Sequence, residues 1–197
     1  DLSKLESRKE TLNETRGSFA LRILLEAGLE GIHGYVAQLG EVKEKYRYAL
    51  EIAAGSRLGQ IVVDNDFVAS KAIDILKRKK AGRLTFLPLN RLKKSSKNFS
   101  TARFEMKNSQ GYIDKAINLI DYENIYSDVF HYVFGDTKVF TDLDTAKNIN
   151  IKARIVTLSG ELLESTGAIT GGSKLNRELI FRFGSNDDID EISPFKK

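Results

Sequence analysis

Residues 55–87 read GSRLGQIVVDNDFVASKAIDILKRKKAGRLTFL. Upstream, Val42, Tyr46, Leu50 and Ala53 recur at three- to four-residue spacing, the signature of one helix face, and Gly55 supplies the stop. Gln60–Val63 is a short β-branched run and predicts a strand. Asp64, Asn65 and Asp66 then offer N-caps to a helix with Val68, Ala72, Ile75 and Leu76 on one side. Lys77, Arg78, Lys79 and Lys80 suit its carbonyl-rich end, Gly82 is the expected stop, and Arg83–Leu87 predicts a second strand halted by Pro88.

The same order returns in residues 135–158, GDTKVFTDLDTAKNINIKARIVTL. Ile125, Val129, Tyr132 and Val133 mark the preceding helix, Gly135 closes it, and Lys138–Thr141 is a strand. Asp142 and Asp144 cap a short helix, and Arg154–Leu158 matches Arg83–Leu87. Strands joined through a helix pair in parallel by a crossover. The repeat therefore predicts a mixed α/β (α+β) fold of two pseudo-symmetric α/β lobes, one over about 18–92 and the other over about 112–173, with a polar linker over about 93–111. Leu2, Leu5 and Leu12 in residues 1–17 hold heptad spacing for a short coiled-coil stub, and 174–197 reads as an exit segment or tail.

With 197 residues, 41% hydrophobic and 29% charged, the composition is globular. No apolar run approaches the ~20 residues of a membrane span, and DLSKLESRKETLNETR lacks the apolar core of a signal peptide. The absence of cysteine rules out a disulfide framework, a zinc ribbon and a thiol nucleophile, and fits an intracellular protein. The net charge of +4 hides a strong asymmetry, because residues 71–97 hold ten basic groups against one acidic group. Such a concentration marks either a polyanion partner or a solvated surface.

Enzymatic signals are weak. Gly167–Lys174 (GAITGGSK) resembles a phosphate loop, but Ser173 and Lys174 stand in reversed order and no strong helical pattern follows. Leu158–Glu161 (LSGE) lies between two strand patterns, whereas the similar ATPase signature opens a helix. The Asp64/Asp66 and Asp142/Asp144 pairs could hold a divalent metal but read better as helix caps. His33 and His131 are far apart in sequence, with structural or surface roles expected. Neither a catalytic assembly nor a cofactor is expected.

Four ordered blocks carry a family likeness. GIHGYVAQLGEVKEKYRYALEIAAGSRLGQIVVD, KRKKAGRLTFLPLNR, VFHYVFGDTKVF and ARIVTLSGELLESTGAITGGS together resemble the hinge domain of structural maintenance of chromosomes (SMC) proteins, of the bacterial chromosomal type, from about Ser18 to Ser173. The resemblance implies a two-lobed, non-catalytic module at the tip of a long antiparallel coiled coil, in a cytoplasmic, nucleoid-associated protein. It also implies a homodimer joined through edge strands, with ATP bound only by remote head domains. The dimer contact is then expected at Gly167, Ile169, Thr170, Gly171 and Gly172, where Thr166 stands in place of the first glycine of the family pattern. Weak, sequence-independent DNA binding is expected from Lys77, Arg78, Lys79, Lys80, Arg91, Lys93, Lys94 and Lys97, with Lys174 and Arg177 just beyond the glycines. The competing readings are a small α/β enzyme acting on a phosphorylated substrate and a purely structural dimeriser whose basic stretch is only solvated.

Overall fold

A computed structural model describes residues 19–92, 109–149, 152–173 and 183. In chain order the elements begin with a helix α1 over 19–26, β1 (Ile32–Tyr35), β2 (Gly40–Val42), α2 (Glu44–Ala54), β3 (Ile61–Val63), α3 (Asp66–Lys79) and β4 (Phe86–Pro88). They continue with β5 (Tyr112–Lys115), β6 (Ile120–Tyr122), α4 (Ser127–Phe134), β7 (Lys138–Phe140), α5 (Leu143–Lys147), β8 (Ile155–Thr157), β9 (Leu162–Leu163) and β10 (Ile169–Thr170). Helices and sheets are mixed in an α+β fold. The coiled-coil reading of Leu2, Leu5 and Leu12 lies outside the described residues.

The internal repeat is present down to its irregularities. β3 pairs antiparallel with β1 and parallel with β4, and β7 pairs antiparallel with β5 and parallel with β8. Both antiparallel pairs carry a register shift at the equivalent place, between Ile32 and Gly34 and between Tyr112 and Asp114. The Asp64 N–H donates to Gly31 O at 2.9 Å, and the Thr141 N–H donates to Gly111 O at 2.8 Å. Gly55 and Gly135 close α2 and α4 at φ of 55° and 54°, a conformation in which a Cβ is strained.

The chain does not divide at the linker as the repeat suggests. Among the described residues, one compact unit contains 19–36 and 59–92, and the other contains 37–58 together with those from 109 onward. Residues 37–58, expected in the first lobe, thus belong with the second unit. The reason is pairing: β2 forms a two-stranded antiparallel sheet with β6, and α2 packs against β8. Gly40 makes that sheet possible, since a Cβ there would stand 2.6 Å from Ile120 Cδ1 and 2.8 Å from Phe130 Cζ.

Each unit has its own core. In the first, Ala20, Leu24, Ala72, Leu76 and Ala81 cluster beneath α1 and α3, and all of β3 is buried. In the second, Phe140, Ala146 and Ile155 pack together, and Phe130 stacks on Tyr122 with ring centroids 4.9 Å apart. Burying each such large side chain contributes about 1.5–3 kcal/mol. Lys138, read as an ordinary strand residue, is buried, and its Nζ is 2.6 Å from Asp136 Oδ2.

Helix α3 is secured at both ends. The Asn65 side chain accepts from the Val68 N–H at 2.9 Å, so Asn65 is the cap and Asp66 is the first helical residue. At the far end Lys80, rather than Gly82, adopts the left-handed conformation that stops the helix, at φ 50°. Asp66 holds the segment after β4: Asn90 Nδ2 donates to its Oδ1 at 3.0 Å and Arg91 Nε to its Oδ2 at 2.8 Å. The Asn90 bond, reinforced by Arg91, holds the Asp66 carboxyl below the ordinary carboxylate range. At the N-cap of α5 the Asp142 carboxyl is lowered chiefly by the backbone N–H of Thr145.

Two outcomes are expected. Gly40→Ala should destabilise the chain by about 1–3 kcal/mol in urea unfolding, because its Cβ enters an occupied space. Asp66 is depressed in the folded state, so its contribution is present above the unfolded carboxylate value of about 4 and is lost as pH falls through the lower folded value. Asp66→Asn should therefore lower the Tm at neutral pH, and the gap from the parent should close as pH drops from about 5 to about 2.

Candidate functional site

The glycine segment forms the edge of the larger sheet. Its order is β10-β9-β8-β7-β5, so β10 has a neighbour on one side only among the described residues. Gly160, at φ 90°, makes the tight turn between β8 and β9 and lies against Tyr48, which fixes that turn on α2. Gly167, at φ 100°, turns the chain from β9 into β10, where Ile169 faces Leu163 and Thr170 faces Leu162.

The hydrogen bonding of β10 has a direction. The Glu164 N–H donates to Ala168 O at 2.8 Å, which makes that facing pair a bonded one. Bonded and non-bonded pairs alternate along an antiparallel ladder, so Thr170 bonds inward to Leu162 while the N–H and C=O groups of Ile169 and Gly171 point away from the sheet. The Ile169 side chain is 59% exposed. An exposed β-branched side chain beside unpaired strand groups is a template for another strand, the feature that folded proteins otherwise cover or blunt with charge. Gly171 has little intrachain conflict, its Cβ position meeting the flexible Glu161 Cγ at 3.1 Å, while Gly172 sits at φ 147°.

Among the described residues, the basic groups singled out in the sequence stand at two separate places. Lys77, Arg78, Lys79 and Lys80 are exposed at the C-terminal end of α3. Arg91 stands at the opposite end of that helix, paired with Asp66. Parallel pairing of β3 and β4 requires this, because the chain must leave β4 at the end where α3 begins. The fourteen residues of α3 separate the two sites by about 20 Å. Arg91 therefore does not share a site with Lys77–Lys80. Lys93, Lys94, Lys97, Lys174 and Arg177 lie outside the described residues.

The second unit also contains a cleft of about 680 Å³ bounded by the C-terminal ends of α2 and α4. Its arginines are committed to those ends. Arg57 Nη1 donates to Tyr132 O at 3.1 Å and to Val133 O at 3.2 Å, and Arg154 Nη1 donates to Ala53 O at 2.7 Å. Arg154 Nε also reaches Glu164 Oε2 at 3.1 Å. Helix C-termini present carbonyl oxygens, and here the two arginines supply their donors.

The sequence motifs with enzymatic overtones resolve into structural parts. Leu158–Glu161 spans the turn between β8 and β9, and Gly167–Ser173 contains β10. Among the described residues no group of three or more His, Asp or Glu is arranged to hold a metal. His131 Nδ1 lies 2.7 Å from Ser127 O within α4. His33, at the bulge of β1, lies 2.6 Å from Asp64 Oδ1, a link the sequence reading missed although Asp64 directly follows a strand predicted to pair.

Comparison with known proteins agrees with this architecture. The family model for the SMC proteins' flexible hinge domain matches residues 29–150. Chromosome partition protein Smc of a Synechococcus strain is 50% identical over 94% of this chain, and that of a Synechocystis strain is 46% identical over 100% of this chain. The chain spans about 15% of the first relative and 16% of the second. Among solved structures, an asymmetric dimer of the Geobacillus stearothermophilus SMC hinge domain aligns at TM-score 0.73 and 29% identity, covering 90% of this chain and 76% of that one. The Pyrococcus furiosus Smc hinge domain with an extended coiled coil aligns at TM-score 0.70 and 36% identity, covering 88% and 62%. The mixed fold, its twofold repeat and these matches place the chain in the SMC hinge family.

Proposed function

We propose that this chain is the homodimerising hinge of an SMC-type chromosome partition ATPase, and that it holds DNA weakly without reading its sequence. The observation that carries the first part is the outward-facing backbone of Ile169 and Gly171 on the uncovered edge of β10. An identical chain can satisfy those groups by adding a strand, which supplies main-chain hydrogen bonds and a pocket for alternate side chains. The related Geobacillus hinge was crystallised as a dimer, in keeping with this reading. The contact is assigned to Gly167, Ile169, Thr170, Gly171 and Gly172. The hinge body extends over about 18–173, with 1–17 arriving from one coiled-coil arm and 174–197 leaving toward the other. Catalysis and ATP binding belong to head domains elsewhere in the parent protein, which acts in the cytoplasm at the nucleoid.

DNA binding rests on the charge distribution. Ten cations against one anion in residues 71–97 suit a phosphate backbone, and Lys77, Arg78, Lys79 and Lys80 are four exposed, consecutive members of that set. Contacts of this kind grip backbone and leave base edges unread. Arg91, already engaged by Asp66, contributes less than the lysines.

Ile169→Lys places a charge on the open edge, and Ile169→Pro removes its outward N–H. Edge strands tolerate both changes, so each variant should keep the parent's far-UV circular dichroism, with the Tm lowered only by the loss of dimer linkage. Light scattering at low micromolar concentration should give a dimer for the parent and a monomer for both variants. Dimers of unchanged affinity would refute the assignment of this edge.

A further inference from the structure

The cleft between the ends of α2 and α4 holds one arginine that has a carboxylate and one that does not. Arg154 donates to Ala53 O through Nη1 and to Glu164 through Nε, so its charge lies between a helix end and an anion. Arg57 makes the same kind of bond on the carbonyl side, to Tyr132 O and Val133 O, and stands 4.9 Å from the Tyr132 ring centroid. Among the described residues no carboxylate reaches it, and none reaches Lys152, which is exposed on the same cleft. Asp136, the other acid of the lining, is already shared by Lys138 and Lys115. Arg57 and Lys152 are therefore uncompensated cations.

One residue of the C-terminal segment is seated beside this cleft. Phe183 is 2% exposed, and its ring centroid lies 6.3 Å from that of Phe134. Its N–H donates at 3.2 Å to Oε1 of the buried Glu51, one turn before Gly55 in α2. Gly55 and Phe134 both line the cleft. Shortly after Phe183 the sequence runs DDIDE, in which Asp187, Asp188, Asp190 and Glu191 put four carboxylates into five residues. At ~3.3 Å per extended residue these acids reach about 13 to 26 Å from Phe183, farther than the cleft is wide.

We infer that residues 187–191 of the same chain occupy this cleft, with one carboxylate on Arg57 and another on Lys152, as Glu164 is on Arg154. The inference goes beyond the proposed dimer edge and DNA contact and depends on neither. Seating Phe183 brings the acids to a high effective concentration at the cleft, which favours this segment over one from another molecule. Bare carbonyls at a helix end repel an anion. At Tyr132, Val133 and Ala53 a guanidinium bonds the carbonyl and offers its charge to the far side.

The test treats the full chain, half of it labelled with heavy nitrogen, with a water-soluble carbodiimide, which joins an ammonium to a carboxylate in contact with it. Lys152 should be joined to residues 187–191 within single molecules, and the yield should fall as salt rises to about 1 M, where screening shortens to ~3 Å. Links between labelled and unlabelled chains would give the cleft to a second copy, and links spread equally over Lys71, Lys77 and Lys152 would mean that the acids have no seat. Either result would overturn the inference. Arg57 is followed separately through hydrogen exchange of arginine Nε–H groups by NMR. The combined change Asp187→Asn, Asp188→Asn, Asp190→Asn and Glu191→Gln should speed exchange at Arg57 about two- to fivefold, the range of an exposed ion pair, and leave Arg154, held by Glu164, unchanged. Equal exchange at Arg57 in the two proteins would also overturn it and leave the cleft to a different partner.

Discussion

Parallel pairing through a helical crossover, β3 to β4 by way of α3 and β7 to β8 by way of α5, determines where the functional segments can lie. A parallel partner must begin where the first strand began, so the intervening helix carries the chain back across the sheet. In the first unit this puts the basic end of α3 far from the segment that leaves β4, and sets Asp66 beside Asn90 and Arg91. In the second it makes β8 the start of a hairpin series that ends in the uncovered β10. Turns at Gly160 and Gly167 then direct the strand edge outward.

The larger unit depends on cations holding helix ends. The last carbonyls of a helix lack partners within it, and their burial is costly unless another donor satisfies them. Arg57, just beyond α2, satisfies the end of α4, and Arg154, just before β8, satisfies the end of α2. The helices concerned come from different copies of the repeat, so each copy stabilises an element of the other. Together with the β2–β6 pair, this accounts for the inclusion of residues 37–58 in the second unit.

Much of the architecture was legible because its punctuation is chemical. Gly55 and Gly135 announce helix ends that require positive φ, and the β-branched Ile61–Val63 announces a strand buried on both faces. The pairing of β2 with β6 was not legible. The segments GEV and IDY are too short to show a period, and their partners are eighty residues apart. The burial of Lys138 was hidden for a similar reason, since it depends on Asp136 folding back beside it. The density of glycine after Leu158 marked an unusual segment, but only the strand register shows which backbone groups face outward. The separation of Arg91 from Lys77–Lys80 was implicit in the parallel crossover and could have been drawn from the sequence.

The central claim is that a second copy of this chain completes the sheet at β10. Residue-resolved amide hydrogen exchange over a concentration series tests it most directly. If the edge is the contact, the amides of Ile169 and Gly171 should gain protection in step with the dimer fraction, while the inward-bonded Thr170 amide stays protected throughout. Exchange at Ile169 and Gly171 that does not change while the dimer forms would contradict the account.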